Sequence, residues 1–239
     1  MKRLEGRHVV VTGAGTGIGR AIAERLAVEG ARLTLLARDE QRLRDVAPGA
    51  TTRSVDIRDR DAVLASFTEP LDALVANAGI GGPNEPGAGD RFDDIVRTNL
   101  YGTYWCTRAA EPLLADGGRI VVVSSILARI GVSGYTGYCA SKAGLLGLVR
   151  SLAAELAPRR IQVNAICPGW VNTDMAWEGL SLWPGLTQDE AWDVAKQEVP
   201  LRRMSEPQEI AGTVSWLLSE DARGVTGQAI DHNNGAFMI

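Results

Sequence analysis

Short apolar runs alternate along the chain with longer segments whose apolar positions recur every three to four residues. The short runs are bounded by polar residues and glycine, which is typical of strands. They predict strands at His8 to Thr12, Arg32 to Ala37, Thr51 to Val55, Leu71 to Ala76, Arg119 to Ser124, Ile161 to Cys167 and Gln228 to Asp231. The longer segments predict helices at Ile18 to Val28, Glu40 to Val46, Gly137 to Ala157 and Pro207 to Ser219.

Several of these strands carry Val, Ile and Leu at consecutive positions, so both faces of each strand must be covered. Strands of this kind, alternating with helices, are typical of parallel sheets. The pattern predicts one α/β domain over residues 1–239, a doubly wound Rossmann fold with a parallel sheet of about seven strands and helices on both faces.

Two stretches interrupt the alternation. Gly79 to Gly89 is rich in Gly and Pro and predicts a surface loop. Gly169 to Arg203 is longer and carries several Trp and Met residues. Because it follows the carboxyl end of the sixth predicted strand, where open α/β sheets bind ligands, we expect a substrate lid at about residues 170–204.

Composition and charge exclude several classes of function. A formal net charge of −4 over 239 residues gives no basic field for nucleic acid. No apolar run approaches the roughly 20 residues of a membrane helix, and the first seven residues lack the apolar core of a secretory signal. The three cysteines are far apart and show no metal spacing. We therefore expect a cytoplasmic enzyme without a metal site and without nucleic-acid or membrane partners.

The turn after the first predicted strand carries glycines in the pattern G-x-x-x-G-x-G, through Gly13, Gly17 and Gly19. Glycines let the backbone turn sharply and approach a pyrophosphate, whose charge the helix N-terminus then meets. In a strand–turn–helix context, this pattern predicts a dinucleotide site that includes Thr16 and Ile18.

At the end of the second strand, Ala37 stands where an NAD site has a carboxylate and Arg38 follows it, which favours NADP(H). Asp39 is close enough to compete, so NAD(H) stays possible.

Tyr138 and Lys142 are four residues apart on a predicted helix and therefore share a face. A neighbouring lysine cation is expected to lower the phenol pKa, so that the phenol can exchange a proton with an alcohol or a carbonyl. Ser125, thirteen residues before Tyr138, is a candidate hydrogen-bond donor to the same substrate oxygen.

In these motifs the whole chain resembles the single-domain branch of the short-chain dehydrogenase/reductase family. Asn99, Ser125, Tyr138 and Lys142 match the family's catalytic tetrad. The resemblance implies that Lys142 also holds the cofactor ribose and that Asn99 keeps a water beside Lys142. It implies further cofactor contacts at Asp56, Ile57, Asn77, Ala78, Gly79, Pro168, Gly169, Val171 and Thr173.

The substrate is less well determined. Apolar side chains in the lid and after Ser125 indicate an apolar substrate, with candidate contacts at Ile126, Leu127, Tyr135, Trp170, Met175, Trp177 and Trp183. Packing within the lid or at a subunit contact would explain the same residues equally well. The C-terminal half also resembles 3-oxoacyl and polyketide ketoreductases. An acyl carrier protein would then be a possible partner, with Arg129, Arg202 and Arg203 as candidate contacts, although these arginines form no clear basic patch.

Three functions compete on this basis. The favoured one is NADP(H)-dependent reduction of a ketone, with a 3-oxoacyl thioester as one candidate. The second is NAD-dependent oxidation of a secondary alcohol by the same residues, and the third is a dinucleotide-binding regulator without catalysis. The complete tetrad disfavours the third, and the glycine spacing disfavours a sugar-nucleotide epimerase. The resemblance also implies a homotetramer or homodimer formed through the helices near Asn99 and Tyr138.

Overall fold

A computed structural model describes residues 2–238, and its centre is one seven-stranded sheet with the strand order β3-β2-β1-β4-β5-β6-β7. Every neighbouring pair of strands runs parallel. The strands are β1 (His8–Thr12), β2 (Arg32–Ala37), β3 (Thr51–Ser54), β4 (Leu71–Ala76), β5 (Leu114–Val123), β6 (Gln162–Pro168) and β7 (Ala229–His232). The predicted parallel α/β fold is confirmed.

Helices cover both faces of this sheet. They are α1 (Gly17–Val28), α2 (Arg60–Ser66), α3 (Phe92–Val96), α4 (Thr103–Ala110), α5 (Thr136–Leu156), α6 (Asp174–Ser181), α7 (Gln188–Ala195) and α8 (Pro207–Leu218). One apolar core lies between the sheet and helices α1 and α8, and includes Leu26 and Val214. The second lies under α4 and α5, and includes Leu145 and Val149. Apolar residues on both faces of each central strand belong to these two cores, which explains the unbroken apolar runs in the sequence.

Several boundaries differ from the sequence prediction. The helix expected at Glu40 to Val46 is only a 3₁₀ turn at Gln41–Leu43, and β5 begins at Leu114 instead of Arg119. Helix α2 has only seven residues and depends on its cap, Asp59, whose carboxylate accepts hydrogen bonds from the amides of Asp61 and Ala62. Helices α3 and α4 were not predicted as elements, and the stretch predicted as irregular between Gly169 and Arg203 contains α6 and α7.

Strand β1 lies between β2 and β4, so the chain reverses its direction of winding at this point. In open α/β sheets a crevice for ligands forms there, beyond the carboxyl ends of the strands. The segments that follow β1, β4, β5 and β6 all leave the sheet at this edge, and they contain most of the predicted site residues. Within residues 2–238, no helix is long and apolar enough to cross a membrane.

Candidate active site

The glycine turn packs directly against the segment after β4. Gly13 has a φ of +65°, and a Cβ atom at this position would lie 2.7 Å from the Cα atom of Ala78. The side-chain amide of Asn77 donates to the main-chain oxygens of Thr12 and Gly13, at 3.1 Å each. The hydroxyl oxygen of Thr12 in turn accepts from the main-chain amide of Ala78 at 3.0 Å. A side chain at position 13 would therefore separate two segments that these hydrogen bonds hold together.

The same turn contacts the beginning of the lid segment. Helix α1 begins at Gly17, whose φ is +51°, and a Cβ atom here would lie 3.3 Å from Cγ2 of Thr173. The bare backbone therefore lines a cradle, and the first amides of α1 have no partner within the helix. This cradle fits the pyrophosphate of a dinucleotide, because helix N-terminal amides favour an anion. Gly19 allows α1 to pack closely on the turn, since its Cβ atom would overlap the main-chain oxygen of Gly13.

Three charged side chains lie at the end of β2. Arg38 is exposed, and none of the carboxylates in residues 2–238 lies within 4 Å of its guanidinium. The Asp39 carboxylate is engaged: it accepts from the main-chain amide of Gln41 at 3.0 Å and pairs with Arg42 at 3.2 Å. Arg42 also borders the glycine turn, because a Cβ atom on Gly15 would lie 3.1 Å from its Cβ atom. Two arginines therefore follow β2, and one of them, Arg42, borders the glycine turn.

Asp56, the cofactor contact predicted after β3, already has a partner within the protein. The Asp56 carboxylate accepts bonds from the guanidinium of Arg58, which also bonds Asp94 at 2.8 Å. This bonding to Arg58 lowers the pKa of the Asp56 carboxyl below its usual range. Ile57 is buried and packs against Gly102, where a Cβ atom would lie 2.6 Å from its Cδ1 atom.

The segment after β6 passes close to the C-terminal residues. A Cβ atom on Gly169 would lie 2.9 Å from the Cβ atom of Asn233, and the Gly169 amide donates to the main-chain oxygen of His232 at 3.1 Å. Pro168 is the last residue of β6 and is buried, as is Val171. The hydroxyl of Thr173 donates to the main-chain oxygen of Val171 at 3.3 Å. The turn is therefore fixed at the strand edge beside the cradle.

Ser125, Tyr138 and Lys142 meet where β5 ends and α5 begins. The neighbouring Ser124 ties the two elements together, because its hydroxyl donates to the main-chain oxygen of Lys142 at 2.9 Å. Ser125 is buried, and its hydroxyl oxygen accepts a bond from the main-chain amide of Leu127 at 3.1 Å. Ser125 also lies close enough to Tyr138 to lower the pKa of its phenol. Tyr138 lies in the first turn of α5, which directs its side chain toward the strand edge.

The electrostatics of this cluster differ from the sequence prediction. Burial raises the pKa of the Tyr138 phenol, and the neighbouring Ser125 side chain only partly opposes this increase. Burial also lowers the pKa of Lys142 to about 8. The expected lowering of the tyrosine pKa by Lys142 is therefore wrong for this structure. The Nζ atom of Lys142 donates to the main-chain oxygen of Val123 at 3.0 Å and lies 5.6 Å from the centroid of the Tyr138 ring.

Asn99 lies in a π-helical segment, Arg97–Gly102, that joins α3 to α4. Its side chain is fully buried and has three partners. The amide oxygen accepts from the Ile80 amide at 2.8 Å, and the amide nitrogen donates to the Ile80 oxygen at 3.0 Å and to the Ser141 hydroxyl at 3.2 Å. Asn99 thus fixes the loop after β4 against α5. A π-helical turn changes the partners of the main-chain oxygens, and such turns are frequent at functional sites.

The predicted substrate contacts divide into two groups. Met175 and Tyr135 lie beside Tyr138: a Cβ atom on Gly81 would be 3.1 Å from Met175 Sδ and 3.9 Å from Tyr138 Cε2, and the rings of Tyr135 and Tyr138 are 6.5 Å apart. Ile126 is buried, and Leu127 follows it in the turn after Ser125. The lid tryptophans form a small apolar cluster of their own with Leu180, and its members are Trp170, Trp177, Trp183 and Trp192.

The arginines considered as contacts for a carrier protein are already bonded within the chain. Arg129 pairs with Asp231 at 3.3 Å, and Arg203 pairs with Glu209 at 2.6 Å. Arg202 donates to the main-chain oxygen of Lys196 at 3.1 Å. These contacts give each arginine a role within the fold, so that no free basic patch arises from them.

Sequence reasoning missed two residues of the loop after β4. Asn84 is buried, and its side-chain oxygen accepts from the Gly137 amide at 2.8 Å, one residue before Tyr138. Gly81 lies between Met175 and the Tyr138 ring. A Gly- and Pro-rich loop predicts little secondary structure, and only its position after β4 indicates that it borders the site.

Comparisons with known proteins cover nearly the whole chain. The profile of a family described as enoyl-(acyl carrier protein) reductase matches residues 13–236. The 3-oxoacyl-[acyl-carrier-protein] reductase FabG of Staphylococcus aureus is 36% identical over 250 aligned residues, which cover 97% of this chain and 98% of that protein. The FabG protein of Escherichia coli is 34% identical, with 98% of this chain and 99% of that protein covered.

Solved structures give the same result for the fold but differ in the activities named. The crystal structure of levodione reductase has a TM-score of 0.92 and is 32% identical, with 98% of each chain covered. The aldohexose dehydrogenase of Thermoplasma acidophilum has a TM-score of 0.87 and is 30% identical, with 97% of this chain and 94% of that chain covered. Since these names specify different substrates, the similarity determines the reaction class better than the substrate.

Proposed function

Because the chain belongs to the short-chain dehydrogenase/reductase family, whose members act on carbonyl and alcohol groups, we propose that it transfers a hydride between NADP(H) and a ketone or secondary alcohol. The proposed direction is reduction of an apolar or 3-oxoacyl-type carbonyl. The single observation that carries this proposal is the meeting of Ser125, Tyr138 and Lys142 at the edge of the sheet, next to a glycine cradle. When bound, the nicotinamide supplies or accepts the hydride.

The side chains of this cluster would bind the substrate oxygen and transfer its proton. The Ser125 hydroxyl would donate a hydrogen bond to the carbonyl oxygen and stabilise the negative charge that develops there. The Tyr138 phenol would give this oxygen its proton, and burial of the phenol, which raises its pKa, favours the protonated form. Lys142 would hold the cofactor ribose and, when charged, favour the phenolate left after proton transfer.

The preference for NADP(H) rests on the three charged residues after β2. Arg38 is exposed and free to meet a 2′-phosphate, and Arg42 borders the glycine turn four residues further along the chain. Asp39, which could have bonded a ribose hydroxyl in an NAD site, is held by Arg42. A phosphate between two guanidinium groups gains charge-assisted hydrogen bonds that NAD cannot form.

A panel of ketones and secondary alcohols, run with both cofactors, tests the proposal. Reduction of apolar ketones or 3-oxoacyl thioesters, with NADPH favoured over NADH by kcat/KM, is the expected result. A clear preference for NAD with alcohol substrates would replace it with the alternative of an oxidative alcohol dehydrogenase. If none of the carbonyls or alcohols reacts with either cofactor, the proposed activity is wrong.

We further propose that the chain acts in the cytoplasm as a homotetramer or homodimer, with residues 170–204 as a lid over the substrate. The lid proposal is supported by the contact of Thr173 with the glycine turn and by the proximity of Met175 to Tyr138. Light scattering of the purified protein tests the oligomeric state. A monomer at working concentrations would contradict the assembly.

A further inference from the structure

Next to Tyr138, a strip of bare main chain leads away from the proposed reaction centre. Gly81 and Gly82, which we call the glycine shelf, follow β4 and lie between the Tyr138 ring and the side chain of Arg91. At the inner end, a Cβ atom on Gly81 would lie 3.9 Å from Tyr138 Cε2. At the outer end, a Cβ atom on Gly82 would lie 3.0 Å from Nη1 of Arg91. A molecule lying along this shelf can therefore reach both side chains.

The two ends of the shelf differ in chemistry. Tyr138 and Met175 border its inner end, and the side chain of Met175 is 47% exposed although it contacts the loop. The outer end has a guanidinium. This arrangement suits a substrate that has an apolar part near its carbonyl and an anionic group farther away.

Arg91 has little to bind within the described chain. Its Nη2 atom donates a long hydrogen bond of 3.4 Å to the main-chain oxygen of Gly81, and none of the carboxylates in residues 2–238 lies within 4 Å of it. The neighbouring Asp90 is used elsewhere, because its Oδ1 atom accepts from Asn84 and from the Phe92 amide. Most donors of this guanidinium fork are therefore available to a ligand.

We propose that Arg91 binds an anionic group of the substrate, a carboxylate or a phosphate, at the outer end of the glycine shelf. Arginine presents planar donors that match both groups, and a bidentate contact would also fix the direction in which the substrate lies on the shelf. This inference rests on the proposed function, since it assigns the substrate class for the same reaction centre.

Matched substrates that differ only in charge test the proposal. One pair is an oxo acid and its methyl ester, and a second pair is a 3-oxoacyl thioester of phosphopantetheine and the same thioester of neutral N-acetylcysteamine. The full-length protein should favour at least one charged member of these pairs by kcat/KM. The pair that shows the preference identifies the source of the anion as a carboxylate or a phosphate.

Variants assign the effect to Arg91. Arg91→Gln should lower kcat/KM for the favoured charged substrate by about tenfold or more, mainly through KM, and leave the neutral substrate within about twofold. Arg91→Lys should recover part of the loss. Arg223→Gln is the matched control, because Arg223 is exposed and borders a groove at the opposite, amino-terminal edge of the sheet.

These experiments distinguish a failure of the proposed role of Arg91 from a failure of the proposed function. If the wild-type protein reduces the neutral ketones but shows no preference for either charged partner, the role of Arg91 is refuted while the proposed function stands. A preference that survives in Arg91→Gln, or that Arg223→Gln removes equally, also refutes it. If the wild-type protein reduces neither charged nor neutral carbonyls, the proposed function fails and the inference falls with it.

Discussion

The Nζ atom of Lys142 lies 5.6 Å from the centroid of the Tyr138 ring, one helical turn away on the same face of α5. Lys142 is buried and Tyr138 is half-buried, and this desolvation shifts their pKa values toward the neutral forms, upward for Tyr138 and downward for Lys142. A neutral phenol is a competent proton donor to a developing alkoxide. The arrangement therefore suits reduction of a carbonyl at neutral pH.

Removing the phenol hydroxyl should abolish turnover without affecting cofactor binding. We expect Tyr138→Phe to lower kcat/KM by at least about a hundredfold, because no other group would deliver the proton. Tyr135→Phe is the matched control: its ring is 6.5 Å away, so the change should cost only a few-fold. Steady-state kinetics and cofactor titration by fluorescence measure both effects. Wild-type-like turnover of Tyr138→Phe would exclude the assigned role.

Replacing the arginine after β2 should change the choice of cofactor. Arg38→Ala is expected to weaken NADPH binding by about tenfold or more and NADH binding very little, because only NADPH has a 2′-phosphate. Arg42→Ala should act in the same direction. Arg44→Ala is the control, since Arg44 is exposed on the same segment but does not border the glycine turn. If Arg38→Ala weakens the binding of NADPH and NADH equally, Arg38 does not bind the 2′-phosphate.

The buried amine of Lys142 should make stability depend on pH. Its pKa is about 8 in the folded chain and 10.5 as the ordinary value, so between these values the unfolded chain binds more protons. The free energy of unfolding should then rise with pH through this window, by up to about 3 kcal/mol from this group. Below pH 8, the buried charge destabilises the fold.

Lys142→Met isolates this contribution, because other titrating groups cancel in the comparison. The free energy of unfolding is measured by urea titration at one protein concentration. The value for the wild type minus the value for the variant should increase between pH 8 and 10.5. A difference that stays constant with pH would show that Lys142 keeps an ordinary pKa in the folded protein.

Crowding the glycine shelf should affect turnover more than folding. In Gly81→Ala the new methyl group would lie 3.1 Å from Met175 Sδ, so this flexible side chain must move near Tyr138. We expect kcat/KM to fall several-fold with little loss of melting temperature. Gly89 is in the same loop and has open space around it, so Gly89→Ala should change kcat/KM and the melting temperature very little.

A double variant tests whether the loss passes through Met175. Adding Met175→Ala to Gly81→Ala should restore part of the activity, because it removes the side chain that the methyl group displaces. Strictly additive losses in kcat/KM would indicate that Gly81 acts independently of Met175.

Three features were determined by the sequence itself: the buried strands of the sheet, the glycine turn and the shared helix face of Tyr138 and Lys142. These follow from local rules: apolar runs specify buried strands, glycine permits the turn at Gly13, and the i, i+4 spacing places two side chains on one helix face. Such features need only neighbours in the chain, so a single sequence contains them. Helices α6 and α7 and the π-helical segment around Asn99 were not predicted, because short elements depend on caps and tertiary contacts.

Only the tertiary structure decided how distant charges and apolar side chains are used. The sequence left Asp39 as a competitor for the cofactor, whereas the fold turns it toward Arg42. The sequence also predicted that Lys142 lowers the tyrosine pKa, whereas burial of the phenol raises it. Arg91 carried no signal at all, and it became a candidate site residue when the loop after β4 brought it beside the glycine shelf. Electrostatics and packing depend on through-space distances and on exclusion of water, and the order of residues alone does not define either.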